Sequence, residues 1–106
     1  MEEKTAEMQD EGISYDRVLR RITVKLKEPP AVGGEAVESL VLRRPKMKHL
    51  RQLGTAKSDE ERAALLMTLL SNQPGAVIDE LDLEDVARIS GAMERFFGLA
   101  RLTGGT

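Results

Sequence analysis

The side chains that could perform chemistry in this chain are few, and their spacing matches no catalytic or metal-binding pattern. His49 is the only histidine, and cysteine is absent from the 106 residues. A metal site with several histidines and a Cys/His dyad are therefore both excluded. His49 lies between Lys48 and Leu50 in a basic turn, and we expect it to have an exposed structural role.

The acidic side chains cluster where helices are predicted to begin. Glu60, Glu61, Asp82, Glu84 and Asp85 fall at the starts of two such helices. Carboxylates are stabilised there by the helix dipole, whereas a glycosidase-type pair would also need a substrate cleft. No serine lies in a motif that supplies a catalytic base, and the paired glycines lack the spacing and the lysine of a phosphate-binding loop. The sequence therefore predicts a protein that is not an enzyme and has neither a metal nor another cofactor.

Charge is distributed unevenly along the chain. Residues 1–16 have six acidic side chains and one basic one, residues 17–51 have ten basic and three acidic, and residues 52–106 have nine acidic and five basic. The basic middle could contact an acidic partner or nucleic acid. We favour the simpler interpretation that its cations alternate along exposed strand faces, because no aromatic residue is interleaved with them to stack on bases.

The first part of the chain predicts an acidic arm followed by a β-strand. Residues 1–20 combine low hydrophobicity with an excess of acid near the start, and we expect them to form a disordered arm. In residues 21–28, Ile22, Val24 and Leu26 alternate with polar residues. This period of two is typical of a strand with one buried face.

A second strand is predicted to pair with the first. Two prolines end the first strand because neither can donate to a sheet ladder, and the glycines at 33–34 supply a turn. The second strand covers about residues 36–43 and places Leu40 and Leu42 on one face. A hairpin over residues 21–43 is the simplest account of both segments.

Residues 46–98 predict amphipathic helices separated by stop signals. A short helix comes first. Ser58 and Glu61 then form a capping box, in which the hydroxyl and the carboxylate each accept from a backbone amide. The last helix begins after Asp82, a good N-cap residue, and ends at Gly98, which can adopt the left-handed conformation.

Together these signals predict an α+β fold, in which an N-terminal two-stranded β-hairpin is followed by a small bundle of amphipathic helices. The hairpin (21–43) and the helices (46–98) form a single domain at 21–98, between the arm at 1–20 and a flexible tail at 99–106. A lone hairpin is marginal in water, so it must pack on the helices or be completed by a second subunit. We therefore expect a homo-oligomer. No apolar run approaches the roughly 20 residues of a membrane span, and we expect no membrane contact.

Five segments, in this order and spacing, resemble a known family. They are residues 24–29, 40–45, 65–70, 78–85 and 96–98. The chain resembles the small tail assembly chaperones of Mu-like and related contractile-tailed phages and prophages. The resemblance covers about residues 20–98, and no single segment carries it alone.

The resemblance implies a non-enzymatic role in building phage tails. Such chaperones coat the long, helical tape measure protein and keep it soluble until tail-tube subunits polymerise around it. The resemblance also implies further partners, namely a longer form of the same protein made by ribosomal frameshifting and the tail-tube subunits. The expected location is the cytoplasm of the bacterial host, and the protein is expected to be left out of the mature virion.

The partner surface is predicted on the exposed parts of the two long helices. The predicted partner-binding residues are Leu66, Leu69, Leu70, Met93 and Phe96. Two alternatives remain open: a self-assembling structural piece of the tail, and a small DNA-binding regulator that contacts phosphates through the basic segment 17–51. We expect no nucleic-acid partner, because a last helix that begins with acidic residues is a poor reader of DNA.

Overall fold

The computed structural model describes residues 12–98 of the chain. This part of the chain is α+β, as the sequence predicts. Its strands are β1 (Ile13–Asp16), β2 (Arg21–Lys25), β3 (Ala31–Val32), β4 (Glu35–Ala36) and β5 (Ser39–Leu42). Its helices are α1 (Met47–Leu53), α2 (Asp59–Ser71), α3 (Gly75–Asp79) and α4 (Leu83–Phe97).

The predicted pairing of two strands is present as the contact between β2 and β5. The two strands are antiparallel, with Ile22 opposite Leu42 and Val24 opposite Leu40. All four side chains are fully buried. The alternation that predicted one apolar face of the first strand is therefore confirmed, since these side chains point towards the core.

The prediction of a disordered arm is wrong for its last part, and the sheet has three strands rather than two. Ile13–Asp16 pairs antiparallel with β2 and forms an edge of the sheet, in the order β1-β2-β5. Ile13 and Tyr15 face the core while Ser14 and Asp16 alternate with them. This short alternation is masked by the acidic composition around it. The remainder of the predicted arm, residues 1–11, and the predicted flexible tail, residues 99–106, lie outside the described residues.

The predicted second strand is split into two. Its first residue, Ala36, belongs to β4, which pairs with β3 around a tight turn at Gly33 and Gly34. Both glycines have positive φ, 68° and 85°, as the turns that match the twist of a hairpin require. The rest of the predicted strand is β5.

The predicted helix caps are present. Ser58 Oγ accepts from the amide of Glu61 at 3.1 Å, and Glu61 Oε1 accepts from the amide of Lys57 at 2.8 Å. Asp82 Oδ2 accepts from the amide of Glu84 at 2.9 Å. These side chains satisfy amides that have no partner within the helix.

Both long helices cover the sheet. α2 packs against β5 and α4 packs against β2, while α1 and α3 both pack against α2. The result is two layers around one aliphatic core. Within residues 12–98, no helix has both the length and the apolar character needed to cross a membrane.

Candidate functional site

Three of the five predicted partner-binding residues are core residues. Leu66, Leu70 and Met93 are buried between the helices and the sheet. A partner could contact these side chains only if the core opened, so we correct their assignment to an exposed surface. The apolar faces of α2 and α4 were correctly predicted, but the sheet already covers most of each face.

The other two predicted residues, Leu69 and Phe96, are half-buried. Phe96 lies against the sheet through Tyr15, with ring centroids 4.4 Å apart and ring planes 8° from parallel. Phe97 meets Tyr15 edge-on, at 6.5 Å and 70°. Contact of Leu69 or Phe96 with a partner stays a prediction.

The large apolar side chains that do face solvent lie elsewhere. The exposed fractions are 87% for Val18, 54% for Leu19, 62% for Met47 and 82% for Leu83. None of these four belongs to the predicted set. An exposed apolar side chain is common by itself, so the informative feature is what surrounds each one.

Val18 and Leu19 are held in solvent by the turn between β1 and β2. Asp16 Oδ1 accepts from the amides of both residues at 2.9 Å, and the Asp16 carbonyl accepts from the Arg20 amide at 2.7 Å. Arg20 has a positive φ of 59°. The carboxylate thus fixes a turn that presents two adjacent aliphatic side chains away from the core.

A shallow groove lies beside this turn. It is lined by Tyr15, Arg17, Arg20, Arg95 and Phe96, and we call it the arginine–aromatic groove. The Arg95 guanidinium carbon is 5.9 Å from the centre of the Phe96 ring, within range of a cation–π contact. With the exposed aliphatic residues of the turn, the groove offers apolar contact area and arginine side chains to one partner segment.

A second cluster, centred on Asp85, joins the start of α4 to the end of β2. Asp85 is fully buried. Both of its carboxylate oxygens accept from the Lys27 amide at 3.1 Å, and Oδ2 accepts from the Glu28 amide at 3.0 Å. Arg88 Nη1 donates to Asp85 Oδ1 at 2.7 Å and to the Lys25 carbonyl at 3.0 Å. This cluster fixes α4 on the sheet, because it satisfies amides that follow the end of the strand.

The charge of Asp85 is maintained by these contacts. Desolvation raises the pKa of Asp85, but the amides of Glu28 and Lys27 together with the Arg88 guanidinium outweigh it and leave the pKa below its usual value. The resulting stabilisation is present above the pKa of the unfolded chain and is lost as pH falls through the lower pKa of the folded state. The sequence identified Asp85 only as an acid in a helical first turn and did not indicate its burial.

His49 has a structural role, although it is half-buried rather than exposed. Its Nδ1 accepts from the Lys46 amide at 2.9 Å, one turn earlier, and so caps the start of α1. Desolvation lowers the pKa of His49, and the neighbouring charges of Lys48 and Lys46 lower it further. The neutral ring is therefore the form that the fold stabilises. This stabilisation is present above the pKa of the unfolded chain and lost as pH falls through the folded pKa.

Replacing Lys48 by glutamate should raise the pKa of His49. The variant removes one of the cations that disfavour the imidazolium and introduces an anion that favours it. An NMR titration of the single histidine in both proteins measures the difference directly. A pKa in the Lys48→Glu protein equal to or below that of the original chain would contradict this electrostatic account.

No group of three or more histidine, cysteine, aspartate or glutamate side chains in residues 12–98 is arranged to hold a metal ion. The described residues thus form an aliphatic core, a buried Asp85 cluster and surfaces suited to protein contacts.

Comparison with family models identifies the kind of protein. Residues 23–98 match the model of the family described as "Phage tail assembly chaperone proteins, E, or 41 or 14". The chain belongs to this family. No curated protein and no solved structure matches it at a significant level.

The family match covers most of the elements of the fold. It begins within β2 and runs to the end of α4, so it includes the Asp85 cluster and the whole helical layer. β1 and the following turn precede the matched region. The arginine–aromatic groove therefore combines Arg95 and Phe96 from inside the match with three residues from outside it.

Proposed function

We propose that this tail assembly chaperone binds the tape measure protein of its phage and keeps it soluble until tail-tube subunits polymerise around it. Membership of the chaperone family is the observation that carries the proposal. The role is non-enzymatic. We further propose that it is performed in the cytoplasm of the bacterial host and that the chaperone is left out of the mature virion.

The arginine–aromatic groove and the turn beside it are the proposed docking surface. A long helix that has not yet been enclosed exposes an apolar stripe to water, and covering this stripe prevents aggregation. Val18 and Leu19 can pack on such a stripe together with the half-buried rings of Tyr15 and Phe96. The groove's arginines suit acidic side chains at the edges of the stripe, where they would set register and salt sensitivity.

A modest affinity for each copy is sufficient for this function. One groove and two exposed aliphatic side chains form a small contact, so a single copy should bind weakly. Many copies along one long partner compensate, because each site that is occupied shortens the exposed stripe. The chaperone must also leave when the tail tube forms, and weak contacts permit release. Tail-tube subunits and a longer frameshifted form of the chain are further proposed partners.

Replacing Val18 and Leu19 by aspartate should abolish protection of the tape measure protein. The double variant V18D/L19D puts two charges where apolar contact is proposed, which should weaken binding by at least about tenfold per copy. Both residues are exposed in a turn, so the fold should be retained. The measurement is the soluble fraction of the tape measure protein when it is co-expressed with each chaperone variant, together with its co-purification.

The matched control is A36D/A87D, which adds two carboxylates at exposed alanines of β4 and α4. This protein should keep the tape measure protein soluble. Equal loss of protection with both variants would refute the assignment of the surface. A tape measure protein that is equally soluble with and without the original chaperone would refute the proposed function itself.

A further inference from the structure

One of the exposed apolar side chains lies in a strongly basic segment. Met47, at the start of α1, is 62% exposed. The segment 43–51 contains five cations and no acid, and all five are exposed: Arg43, Arg44, Lys46, Lys48 and Arg51. None of them forms a salt bridge within residues 12–98. We call these residues and Met47 the basic surface.

Another exposed apolar side chain lies in an acidic segment at the junction of α3 and α4. Leu83, the first residue of α4, is 82% exposed. The exposed acids within four residues of it in sequence are Asp79, Glu80, Asp82 and Glu84. Glu84 contacts Lys27 Nζ at 3.2 Å, and the exposed fractions of the two side chains are 63% and 40%. We call these four acids and Leu83 the acidic surface.

The two surfaces belong to different elements of one subunit. α1 and α3 each pack against α2, and no salt bridge in the described residues joins the basic surface to the acidic surface. Met47 and Leu83 remain exposed in the single chain, so neither is covered by the other. The complementary charges and apolar centres are thus available to a second molecule.

We propose that the basic surface of one copy docks against the acidic surface of a second copy. Five exposed cations within four residues of a methionine match four exposed acids within four residues of a leucine, in charge and in the presence of an exposed apolar side chain. Methionine repacks readily against an apolar neighbour, while the surrounding charges steer the encounter and reject surfaces of the same sign.

The contact can extend from copy to copy because it joins two different surfaces, provided that the rotation between copies does not close it into a ring. A copy whose basic surface is occupied still presents its acidic surface, so a third copy can add. Such head-to-tail association delivers many copies to one long partner, although the contact itself does not depend on the proposed function. Because its charges lie near solvent, association should weaken as salt increases.

Charge reversal on either surface should weaken association. The variant K48E/R51E lowers the charge of the basic surface from five positive to one positive, and D79K/E80K takes the acidic surface from four negative to neutral. Each variant removes most of the attraction between the surfaces, which should raise the dissociation constant of association by at least about tenfold. Sedimentation velocity over a range of protein and salt concentrations measures the association of each purified protein.

K25E/K57E is the matched control, since it reverses the same number of cations at exposed positions outside both the basic surface and the arginine–aromatic groove. It should associate like the original chain. Circular dichroism verifies that every variant is folded. Failure of the original chain to associate at about millimolar concentration, or unchanged association of either double variant, would overturn the proposal. So would an original chain that stays monomeric and is instead retained on DNA in a salt-dependent manner. No tape measure protein is present, so failure here is distinguishable from failure of the proposed function.

Discussion

The variant Asp85→Ala should lose about 3–5 kcal/mol of unfolding free energy, the range observed when one partner of a buried ion pair is removed. Without the carboxylate, the amides of Lys27 and Glu28 lose their acceptor, and the largely buried Arg88 guanidinium loses its ion pair with Asp85. The Arg88 contact to the Lys25 carbonyl cannot compensate for both losses. Urea denaturation followed by circular dichroism measures the difference.

Asp82→Ala is the matched control for this prediction. Asp82 is also an aspartate at the start of α4, but it is exposed and its side chain accepts from the Glu84 amide alone. Its removal should therefore cost about 1 kcal/mol, the usual value for an N-cap. If Asp85→Ala were no more destabilising than Asp82→Ala, the Asp85 cluster would have no greater role than an ordinary cap.

Local signals in the sequence predicted most of the helical layer correctly. The Ser58 and Asp82 caps and the left-handed Gly98 were all recognised, because each depends on residues within one turn of the helix. The apolar alternation of β2 was recognised for the same reason. What local signals do not contain is the identity of a distant partner. Asp85 bonds to amides about 57 residues away in sequence, so its burial could not be inferred from the first turn of α4.

The same limit explains why three of the predicted partner-binding residues were wrongly assigned to an exposed surface. Helical periodicity identified an apolar face that includes Leu66, Leu70 and Met93, but periodicity does not reveal what covers such a face. The three-stranded sheet covers it. The exposure of Val18 and Leu19 depends on the turn fixed by Asp16, which is a local feature. Aspartate favours turns because its carboxylate can accept from the amides two and three residues later. Asp16, at the end of an alternating segment, could therefore have indicated the turn that exposes these two side chains.

β1 connects the fold to the proposed docking surface. It contributes Ile13 to the core and Tyr15 to the stack with Phe96, and it leads into the turn that presents Val18. Ile13, Tyr15 and Val18 all precede the region that matches the family model, residues 23–98. The groove should therefore depend on an edge strand that the shared architecture does not itself include.

Replacing Ile13 by alanine should reduce the free energy of unfolding by about 2–3 kcal/mol, towards the lower end of the range for a buried isoleucine. The side chain is only 3% exposed, so its truncation leaves a cavity under the edge strand. An edge strand can relax more than a central one, which limits the loss. Thermal and urea denaturation measure the effect, and hydrogen exchange should show faster exchange for the β2 amides that pair with β1.

Val18→Ala serves as the control, because it removes a similar apolar group from the same segment where the side chain is 87% exposed. Its effect on stability should stay within about 0.5 kcal/mol. The two variants also separate stability from binding: Val18→Ala should weaken contact with the tape measure protein in a chain of unchanged stability, whereas Ile13→Ala acts through the fold. Equal stability of both variants would mean that residues 13–16 contribute no packing to the domain, which is the disordered arm that the sequence first suggested.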